Sequence, residues 1–327
     1  MKPSPRPTGG PSRHRSAPSR TGRLVLALAL VVAALAACGA PGQDGGVTVR
    51  AAQFPWSAAK LTNAILGELA ATHPELGVDE FKTIQVGPAT AWAGAQRGDV
   101  DLLSEVAMPN QKELSAKAAA RIDMVHQTYG GAEQGWYVPT YATAPGQPLA
   151  GLRSVSQLND YAAALDGKLI DSDPSFLTTE QNAKRLSGYK LNLEQVASSE
   201  AAQLAELRRS YERRAPILVY LYHPHYVFQE FEMTRLDEPT PPKEGCFDTG
   251  DGACAMPDYA AWTAASKELQ TSAPKFVAML ERFEIPVADV EEMLKRVDLD
   301  NEDVEAVARD YVARHPEAVR KWVGAAT

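Results

Sequence analysis

Apolar and polar positions alternate over Val47–Phe54, which predicts a strand. Ser57–Thr72 follows with Ala58, Leu61, Ala64, Ile65 and Leu69 at helical spacing, and Ser57 is placed to cap that helix. Lys82–Val86 reads as a second strand. Thr90–Arg97 reads as a short helix stopped by Gly98, and Asp99–Val106 as a third strand. Asp123–Thr128 and Gly135–Tyr141 are two more. This βαβαβ order predicts an α/β domain with a largely parallel sheet. The Pro/Gly-rich Ala144–Gly151 marks the exit from this first region.

A similar pattern then begins again. Val155–Leu165 reads as helix, Lys168–Asp171 as strand and Ser175–Leu186 as helix. Ser199–Arg213 is a charged helix and Pro216–Tyr222 an apolar strand. Glu238–Pro257 is a long Pro-rich loop. From Ala260 onward the pattern predicts helix almost throughout, with apolar stripes in Pro274–Phe283, Val287–Arg296, Asn301–Ala313 and Pro316–Val323. The acidic run Asp298–Asp303 lacks the Gly and the terminal Glu of a calcium loop, so it reads as a capped helix start.

The amino-terminal stretch follows a different pattern. Residues 1–23 are rich in Pro, Ser, Gly and Arg, and Leu24–Ala37 is a run of 14 apolar residues. A membrane span needs about 20 such residues. A basic stretch, a short apolar run and small residues at its end predict a secretory signal over 1–37. Cys38, in the context Leu35-Ala-Ala-Cys-Gly39, resembles a bacterial lipoprotein box, which implies lipidation of Cys38. Residues 38–46 read as a flexible linker. The expected location is outside the cell, anchored by lipid to the outer face of the membrane.

Composition narrows the function. The chain has 327 residues, 45 % hydrophobic and 23 % charged, enough for two domains. The first 37 residues hold six basic side chains and no acid. The rest therefore carries 27 basic against 41 acidic residues, a net charge of −14 where the whole chain has −8. Such a body repels phosphate backbones, which excludes nucleic acid as a partner. In an oxidising compartment Cys246 and Cys254, close together in a Gly/Asp/Thr-rich loop, are expected to form a disulfide. Neither they nor the pair His223 and His225 have further ligands at metal-site spacing, so no metal is expected. No nucleophile elbow, P-loop, zinc-protease or dinucleotide motif occurs, so no enzyme and no cofactor are expected either.

Aromatic residues are only 7 % of the chain, yet they gather at predicted strand ends. Trp56 follows the first strand and Trp92 lies in the second helix. Trp136 and Tyr137 lie on a strand, Phe176 at a helix start, and Tyr220, Tyr222 and Tyr226 around the two histidines. A trimethylammonium group has no N–H to recognise, but the negative faces of aromatic rings attract it.

These residues fall within spaced motifs: Gly87-Pro-Ala-Thr-Ala-Trp92 before Arg97-Gly-Asp-Val-Asp101; Glu105-Val-Ala-Met-Pro-Asn110; Gly135-Trp-Tyr-Val-Pro139; Pro174-Ser-Phe176; Tyr220-Leu-Tyr-His-Pro-His-Tyr226; Leu236-Asp-Glu-Pro239; and Cys254-Ala-Met-Pro257. In order and spacing the chain resembles the glycine betaine/proline betaine (quaternary amine) substrate-binding proteins of ABC importers. The resemblance implies a type II periplasmic-binding-protein fold. Lobe 1 would comprise 47–142 and 237–327, lobe 2 would comprise 143–236, and the tail would be helical. It implies a monomer that carries a small zwitterionic or cationic osmolyte to a membrane permease. The family's cage tryptophans correspond to Ala107, Phe176 and Tyr222, so one aromatic wall is missing. The N–H groups of Leu177 and Thr178, with Gln111, correspond to the carboxylate contacts. Either an aromatic such as Trp56 or Trp136 fills the space at Ala107, or the ligand is larger or less cationic; Trp92, Glu105, Tyr137, His223 and His225 complete the expected ligand-binding set. The competing expectation is a sensory or scaffold lipoprotein of the same fold, binding another small amine or amino-acid derivative.

Overall fold

The computed structural model describes residues 46–324. The predicted signal, Cys38 and nearly all of the linker lie outside the described residues. The chain runs β1 (Val47–Gln53), α1 (Ser57–Thr72), β2 (Val78–Gln85), α2 (Pro88–Arg97), β3 (Leu102–Met108), α3 (Lys112–Ala118), β4 (Ile122–Ala132) and β5 (Gln134–Pro139). It continues with α4 (Leu158–Tyr161), β6 (Lys168–Asp171), α5 (Leu177–Gly188), β7 (Glu194–Ala197), α6 (Glu200–Glu212), β8 (Val219–Tyr222), α7 (Val227–Glu230) and β9 (Met233–Arg235). β10 (Tyr259–Ser266) precedes the closing helices α8 (Lys267–Ser272), α9 (Pro274–Leu280), α10 (Val287–Leu294), α11 (Val304–Arg314) and α12 (Pro316–Val323).

The strands form two five-stranded sheets, ordered β2-β1-β3-β10-β4 and β7-β6-β8-β5-β9. Both are mixed rather than largely parallel. β1 runs parallel to β2 and β3, and β10 antiparallel to β3 and β4. In the second sheet β6 is parallel to β7 and β8, while β5 is antiparallel to β8 and β9. Leu61, Ile65 and Leu69 put one face of α1 into the core beside the buried Val49, Ala51 and Ala52 of β1. Gly98 closes α2 in the left-handed conformation (φ 85°), where a β-carbon would be strained.

Two expectations are corrected here. Helix was expected from Ala260, but Tyr259–Ser266 is a strand inserted between β3 and β4. Alanine favours helix by only some tenths of a kcal/mol per residue. Ala261, Ala264 and Ala265 are fully buried. Small side chains suit a central strand covered on both faces, and hydrogen-bonded ladders on both edges outweigh the local preference. The lobe boundary also moves. β5 belongs to the second sheet, so the chain crosses at Glu133 rather than after residue 142. It returns through the loop between β9 and β10. Ala144–Gly151 is a turn within the second lobe, because the antiparallel partner of β5 lies some 80 residues downstream in β8.

Cys246 and Cys254 form the expected disulfide, and both are buried. Their loop rests on α5, where Lys184 Nζ donates to the Phe247 carbonyl (2.7 Å). Across it, Lys112 pairs with Glu244 (2.8 Å). Closing so short a loop stabilises by about 2–3 kcal/mol in the chain-entropy model. Urea unfolding of a Cys246→Ser/Cys254→Ser variant is expected to show that loss. An unchanged midpoint would place the strength of the loop in its packing alone.

Candidate functional site

Glu105 and Ala107 lie two residues apart on β3 and so on the same face of the sheet. That face looks toward the second lobe. Glu105 is 3 % exposed. Its carboxylate accepts from the Tyr129 hydroxyl (2.9 Å), the Thr62 hydroxyl (3.2 Å) and the Trp56 indole N–H (3.4 Å). No Lys, Arg or His pairs with it among the described residues. Burial pushes this carboxyl up to about 7, although the three donors pull it back toward the ordinary range.

Trp56 forms the wall beside it. Phe54 stacks behind the indole (4.6 Å between centroids) and Phe176 meets it edge-on from the second lobe (5.1 Å). Phe176 is held by a local turn, in which Asp173 Oδ1 accepts from the Ser175 backbone N–H and hydroxyl (2.9 and 2.7 Å). The same turn aims the start of α5 at the cavity. The N–H groups of Leu177 and Thr178 are its first two, outside the helical ladder and at the positive end of the dipole. Gly87, at the start of α2, touches the second lobe here, and a β-carbon on it would sit 2.8 Å from Ser175 Cβ.

The tyrosines keep their hydroxyls engaged elsewhere and present rings. Tyr220 donates to Gln134 Oε1 (2.9 Å) and Tyr259 to the His223 carbonyl (2.6 Å). Tyr222 donates to Glu200. Burial, and the nearby carboxylates of Glu105 and Glu200, hold the Tyr129, Tyr222 and Tyr259 hydroxyls well above their usual range, so they stay protonated donors. Asn110 and Gln134 exchange a reciprocal pair of amide hydrogen bonds (both 3.2 Å) across the two lobes.

Glu200 ties the lobes together behind Tyr222. Its Oε2 lies 3.2 Å from the Ser57 backbone N–H and 3.3 Å from the Ser57 hydroxyl, which also reaches Asp298 (2.8 Å). Ser57 is therefore not the cap of α1: Trp56 holds the cap position without a side-chain bond, and a carboxylate from the other lobe takes the helix N-terminus. Burial works against ionising Glu200. The facing His225 imidazole, the hydrogen bond from Tyr222 and the charge of Lys60 outweigh it and hold the group below its ordinary value.

The result is a cavity between the lobes. It is lined by Trp56, Glu105, Ala107, Gln111, Phe176, Leu177, Thr178 and Tyr222 from the expected set. Ala58, Pro88, Asn110, Tyr129, Gln134, Tyr220 and Tyr259 line it as well. Glu105 is the one charged side chain among them, and no lysine or arginine faces the space among the described residues. Such a cavity attracts positive charge through its rings and its carboxylate, and offers an anion only the amide groups at the start of α5 and from Gln111. It is built to hold a group with a cationic end.

Five expected residues lie off the cavity. The indole of Trp92 is buried behind Gln111 and donates to its Oε1 (2.7 Å), which fixes which end of that amide faces inward. Trp136 shares a face of the second sheet with Gln134 and its cross-strand partner Tyr220 but lies two residues further along β5, bonded to Asn182 (2.8 Å) beneath the Arg185 guanidinium (3.9 Å). Tyr137 packs on Phe228 with a buried, unpartnered hydroxyl. His223 stacks on Phe228 (3.7 Å) and faces Glu291 (3.1 Å). His225 Nδ1 accepts from the Val227 N–H, and Nε2 lies 3.6 Å from Glu200. Strand alternation turns Tyr137 to the face opposite Gln134, and tertiary packing claims the rest. Of the residues missed, Pro88, Asn110 and Tyr220 lay inside the quoted motifs. Tyr129 and Tyr259 carried no local signal, because their meeting depends on β10 being a strand.

Residues 47–314 match the family described as the substrate binding domain of ABC-type glycine betaine transport systems. The glycine betaine/carnitine transport binding protein GbuC of Listeria monocytogenes is 26 % identical over 156 residues, 47 % of this chain and 47 % of that protein. The chain thus matches about half the length of this relative. The solved structure of an ABC-transporter choline binding protein in complex with choline superposes with a TM-score of 0.71 at 18 % identity, covering 85 % of this chain and 91 % of that one. Lactococcal OpuAC in its closed, glycine betaine-bound form gives 0.70 at 21 %, covering 85 % and 99 %. The two mixed sheets flanked by helices are the type II periplasmic-binding-protein architecture. With its family match spanning most of its length, the chain belongs to the substrate-binding domains of ABC-type glycine betaine transport systems, a family of binding proteins rather than enzymes.

Proposed function

We propose that this protein is the extracytoplasmic receptor of an ABC importer, capturing a small quaternary amine and handing it to a membrane permease. One observation carries the reading. The cavity between the lobes is walled by Trp56, Tyr129, Phe176, Tyr220, Tyr222 and Tyr259, with one buried carboxylate and no basic side chain among the described residues. Rings hold the ammonium group, whose methyls offer no hydrogen bond, and the start of α5 receives the polar end of the ligand. The relatives named above are described as binding glycine betaine, carnitine or choline, which is the same ligand chemistry. Both lobes contribute to the cavity, so the ligand binds the closed form best and biases the protein toward it. The leader sequence and Cys38 support export and a lipid anchor on the outer face of the membrane, with the monomer as the working unit.

A thermal-shift panel of glycine betaine, proline betaine, choline, carnitine, ectoine and proline at millimolar concentration tests this. A ligand at 100 times its Kd stabilises by about 2.7 kcal/mol. The expected result is a shift with one or more quaternary amines, lost in Phe176→Ala and Tyr222→Ala. A folded protein that responds to none of them overturns the quaternary-amine reading.

A further inference from the structure

We infer that Glu105 is the counter-ion of the bound ammonium group, so that the amine binds with release of a proton and a net cation is favoured over a zwitterion. The inference rests on the receptor reading above. Glu105 and Ala107 share a face of β3 and both line the cavity. Where the family resemblance implies an indole beside this carboxylate there is a methyl group. Three uncharged donors, Tyr129, Thr62 and Trp56, orient that carboxylate, yet no cation neutralises it among the described residues. A buried carboxylate without a counter-charge is costly to ionise, and a ligand cation in the same cavity removes that cost. Trp56, bonded to Glu105 and in edge contact with Phe176, makes the carboxylate continuous with the ring cage.

The pH dependence has a definite sign. Glu105 in the empty protein titrates at about 7, pushed up by burial. A bound cation favours its ionised form, so binding expels the proton below that pH, and affinity rises as pH increases toward 8. The groups facing Glu105 are Trp56 and Thr62 on the α1 side, Tyr129 on β4 and Tyr259 on β10. The second lobe adds Tyr220 and Tyr222, with the Glu200–His225 pair behind. The tyrosines Tyr129, Tyr222 and Tyr259 titrate far above this window and Glu200 below it. His225 is the remaining group and is tested separately.

Titration calorimetry with choline and with glycine betaine at pH 6, 7 and 8, in two buffers of different ionisation heat, counts the protons directly on the unaltered protein. Choline affinity is expected to rise roughly tenfold from pH 6 to pH 8, with close to one proton released at pH 6. Glu105→Gln is expected to flatten this profile and to weaken choline more than glycine betaine, whose own carboxylate balances its charge. His225→Gln is expected to keep the pH step. Choline binding that neither changes with pH nor releases a proton overturns the counter-ion role, as does a step lost in His225→Gln or an unaltered choline affinity in Glu105→Gln. No binding of any amine at pH 8 overturns the receptor reading and this inference with it.

Discussion

Arg185→Ala is expected to destabilise the protein by about 3–5 kcal/mol, the range for breaking a buried ion pair on one side. Arg185 is fully buried inside the second lobe. Its guanidinium pairs with Glu238, donates to Asn182 Oδ1 (2.9 Å) and lies 3.9 Å over the Trp136 ring. Asn182 in turn holds Trp136 (2.8 Å) and Asp171 (3.0 Å), and Glu238 also accepts from Tyr189 (3.1 Å). Burial raises the Glu238 carboxyl even with Arg185 beside it. Without the guanidinium that carboxylate is left in the interior uncompensated, and a cavity opens over the indole. The melting temperature should fall by on the order of 10 °C. The double change Arg185→Met/Glu238→Gln, which leaves no charge behind, is expected to recover much of the loss. Calorimetric unfolding of the three proteins measures this. A single-variant loss below about 1 kcal/mol would mean that water reaches and solvates Glu238.

Trp56→Ala is expected to cost the largest share of ligand affinity. The indole is fixed from three sides: Phe54 behind, Phe176 across the cleft and Glu105 on its N–H. A desolvated cation–π contact is worth about 2 kcal/mol, which is about a 30-fold change in Kd. Loss of the indole also removes a donor from Glu105 and lets water into the cage. Trp56→Phe keeps a ring without the N–H and should fall between. Trp92→Ala should weaken binding less, since Trp92 acts only by orienting Gln111. Titration calorimetry of the quaternary amine that stabilises the parent protein gives the order. A Trp56→Ala protein with parental affinity would remove Trp56 from the cage and leave the ring wall to Phe176 and the tyrosines.

The expected outline of the molecule rests on local signals. α1 spans the predicted Ser57–Thr72, β6 the predicted Lys168–Asp171 and α12 the predicted Pro316–Val323. Hydrophobic period and Gly98 as a stop signal act within a few residues of where they stand, so a linear reading captures them. Asp303 likewise caps α11, as the acidic run suggests. The two neighbouring cysteines found each other for the same reason.

Other features depend on partners far away in sequence. Tyr259–Ser266 reads as helix by composition and becomes a central strand because β3 and β4 flank a gap that small side chains fit. β5 reads as part of the first region, but its ladder partners are β8 and β9. Ser57 reads as a cap and is instead capped by Glu200, 143 residues away. Aromatic type alone could not separate Trp56, which walls the cavity, from Trp92 and Trp136, which pack behind it. Local patterning accounts for the α/β class, most helices and strands, the disulfide and the residue types gathered at the site. Long-range packing sets which sheet each strand joins and which side chains face the cavity. Non-local strand pairing sets those directions, and a side chain's neighbours across a sheet or a cleft leave no periodic trace in its own segment.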